Sequence, residues 1–155
     1  MKHIGYIPAR QCPVFMHHVT TYDEVATVAV PSRHTVVFLA GDASAISADS
    51  IGRAAERLLG AGLAYICTWG PDCQRVHDIF DECYVGDGTT EPTFDFTSTW
   101  HSSDTIEEAV EFFAFTAVPS DSAFDDLSYL AILVGPVQSD VDFIDTISTH
   151  ISQTI

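Results

Sequence analysis

Cys73, His77, His101 and Asp42 are the residues whose chemistry, if brought together, could support a reaction or hold an ion. Cys73 falls in the expected first turn of a helix, where unpaired backbone N–H groups and the helix dipole favour a thiolate. With His101 as its base and Asp42 or Asp104 orienting that imidazole, the set would form a nucleophilic triad. Cys73 also continues an apolar stripe with Val76 and Phe80, which is the place of a buried structural thiol. A metal reading uses the same helix: Cys73 and His77 lie one turn apart on one face, and His101, with Asp42 as a further donor, would complete a set suited to zinc. Two such residues on one helix also arise by chance, and metal binding needs the ligands to converge in space.

Standard catalytic and nucleotide motifs are missing. The loop after the first apolar run reads Gly41-Asp-Ala-Ser-Ala-Ile-Ser47, without the glycine spacing of a dinucleotide site and without the lysine of a phosphate loop. No Gly-x-Ser-x-Gly elbow occurs. A receiver-like phosphorylation site would need an acidic residue at the end of the third strand and a later lysine, where Trp100-His101 and Gly135-Pro136 stand. The sequence specifies no cofactor.

The elements that must position these residues follow a fourfold alternation of apolar run and amphipathic stretch. The runs are 35–40, 64–68, 93–99 and 129–134; the third alternates Phe94 and Phe96 with polar residues and so has a less buried face. Helical stripes follow from about Ser47 (Ile51, Ala54, Ala55, Leu58, Leu59), from Pro71 (Cys73, Val76, Phe80, Cys83), and from Asp104 with Glu107 as a capping box. A last helix is expected from Ser139, with Asp142 three residues on. This pattern predicts an α/β fold, a Rossmann-like or flavodoxin-like three-layer sandwich with about four mostly parallel strands. Doubly wound folds suggest the order 2-1-3-4, with the first two helices on opposite faces. Pro8, Pro13 and Pro31 interrupt residues 1–34, expected as an N-terminal extension packing on a single domain at 35–155, with 25–30 as an extra edge strand.

In such sheets ligands bind beyond the carboxyl ends of the strands. That rule selects Asp42 and Ser44, then Trp69, Asp72 and Cys73, then Trp100, His101 and Ser102, and finally Gly135. Asp42, Ser44, Trp69, Asp72, Trp100 and Ser102 are thus candidate ligand contacts, with the two tryptophans as pocket walls. Each tryptophan fits equally as a packing residue whose indole nitrogen bonds a loop carbonyl.

Composition narrows the partners. A chain of 155 residues with 46% hydrophobic and 18% charged residues can bury a sizeable core. Asp and Glu number 22 against six Lys and Arg, a formal net charge of −16. Lys2, Arg10, Arg33, Arg53, Arg57 and Arg75 are scattered, so nucleic-acid binding, which needs clustered cations, is disfavoured. The acidity suits a protein partner with a basic surface, though it also serves solubility alone. No run approaches membrane-spanning length and no signal sequence opens the chain, so a cytoplasmic location with Cys12, Cys67, Cys73 and Cys83 as thiols is expected.

The segments Ala-Gly-Asp-Ala-Ser at 40–44, Cys-Thr-Trp-Gly-Pro-Asp-Cys at 67–73 with His77-Asp78 after it, and Thr-Trp-His at 99–101 resemble an uncharacterised bacterial domain family over about 35–150. The resemblance brings no activity. It implies that Asp42, Trp69, Cys73, His77, Asp78, Trp100 and His101 recur together. The leading expectation is a non-catalytic protein-binding or accessory module, inhibitor-like or a subunit of a larger bacterial system. Two alternatives stand beside it: a small hydrolase or transferase using Cys73 and His101 or a metal, and a small-ligand sensor lined by Trp69 and Trp100.

Overall fold

Three apolar runs become the most buried strands of the molecule. In the computed structural model, which describes residues 1–92, 94–120, 125–136 and 138–151 with the backbone alone for 138–142, the elements in chain order are β1 (Lys2–Ile7), β2 (Cys12–Val19), α1 (Tyr22–Val25), β3 (His34–Ala40), α2 (Ala48–Gly60), β4 (Leu63–Trp69), α3 (Cys73–Val85), β5 (Thr97–Trp100), α4 (Ile106–Glu111), β6 (Leu127–Val134) and α5 (Gln138–Ile147). α4 runs on into a π-helical stretch, Phe112–Thr116. β6 is buried at every position and β3 at all but the first, as strands must be when they have neighbours on both edges and helices on both faces.

The sheet has six strands in the order β1-β2-β6-β3-β4-β5. β1 pairs antiparallel with β2, and every other neighbour is parallel. The expectation of about four strands is therefore corrected to six. The extra two come from residues 2–19, which supply a hairpin built into the sheet. Pro13 pairs with Tyr6 in that hairpin but precedes the first β2–β6 pair, Val14 with Tyr129, so its missing N–H removes no rung of that ladder. The edge strand expected at 25–30 does not form: Val25 closes α1, and 28–30 has no regular structure.

The order 2-1-3-4 is also corrected. β3, β4 and β5 lie consecutively, and β6 returns to the far side of β3, between it and β2. Steps from β2 to β3, β4 and β5 run one way across the sheet, and α1, α2 and α3 contribute to one core with Ile51, Leu58, Val76 and Phe80. The step back to β6 reverses direction, and α4, its π-helical extension and α5 form the opposite core around Val110, Phe113 and Phe143. Crossovers of one hand require this exchange of faces when direction reverses. Hence the first two long helices share a face instead of flanking the sheet.

Local signals held unevenly. Ser47 caps α2, its Oγ accepting the Ser50 N–H at 3.2 Å. The capping box of α4 is Thr105 with Glu108, shifted one residue from Asp104 and Glu107, because Asp104 is engaged by His101. Pro71 sits in the turn before α3, whose N-cap Asp72 has φ 64°. β5 is shorter than the run at 93–99: Thr93 lies outside the described residues, and Phe94 and Phe96 pack on Tyr84. α5 includes Ser139 and Asp142, whose side chains lie outside the description. Among the described residues no helix is long and apolar enough to cross a membrane.

Candidate functional site

Because β2, β6, β3, β4 and β5 are mutually parallel, their trailing loops gather at one edge. Backbone bonds knit these loops: Gly41 donates to Trp69 O at 3.1 Å, Ala43 to Pro71 O at 3.0 Å, and Gly135 to Val19 O at 3.0 Å. The His18 ring adds a contact to Gly135 O. A cleft of about 370 Å³ opens there, lined by residues 20–22, 40–42, 69–71 and 134–136 with Ile46.

Its place follows from topology. The loop after β3 leads to α2 on one face of the sheet, and the loop after the adjacent β6 leads to α5 on the other. Neighbouring loops that part in this way leave a crevice, the topological switch point of an open α/β sheet. Glycine makes the floor. A Cβ on Gly70 (φ +112°) would lie 2.3 Å from Gly41 O, and one on Gly41 would lie 2.8 Å from the Val134 Cβ. Only hydrogen at both positions lets the ends of β3, β4 and β6 approach so closely.

The cleft walls are apolar and aromatic, and its charge is negative. Tyr22 is buried at 3% exposure beside Gly41. Burial pushes its hydroxyl far above the ordinary range, with Cys73 and Asp42 adding to the effect, so at neutral pH it is an uncharged phenol. Asp42 Oδ1 accepts from the Ser44 hydroxyl at 2.5 Å and the Ser44 N–H at 2.9 Å. Those bonds hold its carboxyl below the usual range, keeping the exposed anion at the mouth. No lysine or arginine lines the cleft. Arg75 is consumed nearby, donating to Asp72 at 2.7 Å and to the carbonyls of Ala43 and Ile46 at 2.7 and 2.6 Å.

The remaining candidates divide between the two faces of the sheet. Thr99 is in register with Cys67, on the α4 side, and Trp100 with Thr68, on the α3 side. His101 therefore returns to the α4 side. Its Nδ1 bonds Asp104 Oδ2 at 2.7 Å, its Nε2 meets Thr99 Oγ1 at 3.0 Å, and its ring packs 4.7 Å from that of Phe112. Cys73 is 2% exposed on α3, its sulfur against the Thr68 hydroxyl and the backbone amide of His101. Burial raises the thiol above its ordinary pKa, the reverse of the activation expected from its helix position. The Cys73–His101 pair is thus joined through backbone and not through the imidazole, and Asp42 lies on a separate loop bonded to Ser44.

The metal set Cys73, His77 and His101 is not assembled either. His77 Nδ1 bonds Asp78 at 2.9 Å and its Nε2 faces Asp81 at 3.4 Å, on the far side of the sheet from the His101 ring. Among the described residues no group of three or more His, Cys, Asp and Glu side chains could hold an ion. All four cysteines are free thiols.

Of the ligand candidates, Asp42 and Trp69 line the cleft at the switch point. Trp69, Asp72 and Ser102 line a smaller one of about 330 Å³ with His101 and Asp104. Ser44 acts at one remove by binding Asp42, while Asp72 both lines the smaller cleft and binds Arg75. The two tryptophans do not share a pocket. Trp69 donates Nε1–H to Asp104 O at 3.1 Å and joins the α4-side core, whereas Trp100 is 45% exposed with its ring 4.6 Å from that of His77. Thr20, Thr21, Tyr22 and Pro136 were missed in the sequence. Cys12, Val14 and Met16 alternate as a signal for β2, but Pro13 broke the run.

No curated protein matches the chain. A family profile matches residues 14–146, from β2 into α5, and so takes in every strand that opens onto the cleft. The chain belongs to that family, described as a domain of unknown function, DUF7684.

Proposed function

We propose that this chain is a non-catalytic binding domain that takes a small organic cation in the cleft between the ends of β3 and β6. The observation that carries the reading is the coincidence of the cleft with the switch point of the sheet, where two adjacent loops part to opposite faces. The size falls in the range of small-molecule sites. Tyr22 and Trp69 offer aromatic walls, and the ionised Asp42 offers a counter-charge with no competing cation in the lining. An anionic ligand would meet Asp42 unopposed. The hydrolase or transferase alternative loses its support where Cys73 is an unactivated thiol and both nitrogens of His101 are engaged.

The test is a titration of Trp69 fluorescence in a Trp100→Phe background, using a panel of amines and quaternary ammonium compounds with isosteric carboxylates as controls. Amines should quench saturably and carboxylates should not. Asp42→Asn should weaken amine binding about tenfold, the loss of one charge-assisted contact. Equal response to amines and carboxylates, or none to either, ends the reading.

A second reading, a module for a protein partner with a basic surface, is favoured by where the charge lies. Residues 76–155 contain no lysine or arginine. All six cations lie in 1–75 and are matched there by Asp23, Glu24, Asp42, Asp49, Glu56 and Asp72, so the whole net charge of −16 belongs to the C-terminal half. A net charge this negative speeds encounter with a basic protein.

A further inference from the structure

The two edges of the sheet are built differently. β1 carries Lys2 and a register shift between His3 and Gly5, both of which discourage another strand from adding. β5, at the other edge, has neither cation, proline nor bulge among Thr97–Trp100. His101 donates its amide to Thr68 O at 3.0 Å. Backbone direction alternates along a strand, so the N–H and C=O groups of Ser98 and Trp100 point away from β4. Among the described residues they have no backbone partner.

This open edge is flanked by an aromatic anchor and by carboxylates. Trp100 stands exposed with its ring on His77, and Phe94, exposed just before β5, packs its ring on Tyr84 of the same helix. Asp81 bridges α3 to the edge by accepting the Ser98 hydroxyl at 2.5 Å, and its other oxygen faces His77. Asp78, bonded to His77, is exposed next to that bridge, and Asp95 is exposed three residues before Ser98 in the chain. The segment holding all of them lacks any lysine or arginine.

We infer that the β5 edge is a strand-addition site for an extended, lysine- or arginine-rich segment of a partner protein, with Trp100 as its anchor; this rests on the basic-partner reading above. Backbone bonds to Ser98 and Trp100 supply the pairing, and Asp78 and Asp81, beside His77 on the α3 side, meet the cations of alternate residues. Charge decides against a second copy of this chain. Antiparallel pairing of two β5 strands would bring the Asp78 and Asp81 of both copies to the same edge, and like charges across a strand pair repel.

The experiment measures fluorescence anisotropy of a labelled alternating Lys-Thr peptide against the full chain, beside the same peptide with alternate backbone amides N-methylated and a Glu-Thr peptide. The Lys-Thr peptide should bind at low salt, the Glu-Thr peptide should not, and N-methylation should weaken binding at least about tenfold, the loss of two or more strand hydrogen bonds. Trp100→Thr, which keeps a residue suited to an exposed strand, should weaken it by a similar factor, as loss of a tryptophan anchor does. Equal binding of the methylated and unmethylated Lys-Thr peptides would overturn the edge site while leaving the basic-partner reading intact. No binding by either would remove both. A concentration-dependent dimer in sedimentation that Trp100→Thr abolishes would give the edge to a second copy and overturn the assignment.

Discussion

Cys73 and His101 illustrate how a residue's role is set by its neighbours within a few ångströms. The sequence places a thiol in the first turn of a helix and a histidine on the next rim loop, and both statements hold in three dimensions. The one-residue step from Trp100 to His101 then sends the imidazole to the opposite face, where Asp104 and Thr99 take both ring nitrogens. Cys73 is left with hydroxyl and amide neighbours too weak to offset burial. Its thiol should therefore react with iodoacetamide near neutral pH at least about tenfold more slowly than a free cysteine, and the rate should climb only above the ordinary thiol pKa of 9.0. Half-buried Cys83 should label before it. Mass-spectrometric time courses of each cysteine peptide check this, and rapid labelling of Cys73 would restore the nucleophile reading.

Among the elements, the turns at the strand ends carry more of the site than the helices do. The turn after β4 has to bring its backbone against the turn after β3, and Gly70 meets that demand twice, through φ +112° and through the 2.3 Å approach to Gly41 O. Gly135 shares a similar φ, +113°, but opens onto empty space. Gly70→Ala should cost on the order of 3 kcal/mol or more, whereas Gly135→Ala should cost about 1–2 kcal/mol from backbone strain alone. Urea midpoints of the two variants against the parent provide the comparison. Equal losses would mean the close approach of the loops contributes nothing.

For the whole molecule, the uneven charge is the dominant long-range feature. With 22 acidic side chains against six Lys and Arg, the folded state holds a net charge of −16 together against its own repulsion. Raising salt from about 0.01 M to about 0.15 M shortens the screening length from roughly 30 to 8 Å and weakens that repulsion. The melting temperature should rise by several degrees over this range, measured by circular dichroism at constant pH. A melting temperature that stays level or falls would show that the net charge is no source of strain. The same salt should weaken any basic partner, which separates the field's effect on stability from its effect on binding.

The sequence by itself determined the parallel α/β character, because continuous apolar runs at 35–40, 64–68 and 129–134 can be satisfied only by burial on both faces. It also determined that Asp42, Trp69 and Gly135 reach a common edge, since alternating strands and helices deliver successive loops to the same side. The hairpin at 2–19 stayed hidden behind Pro8 and Pro13, whose cost depends on which ladder needs a donor. Strand order and face came only from tertiary structure. Local propensity is the same whether β6 joins the end of the sheet or inserts beside β3, and it is packing of the helices against both faces that selects the insertion. That insertion moved the crevice from the end of β5 to the end of β6, bringing in Tyr22 and leaving His101 and Trp100 to other tasks.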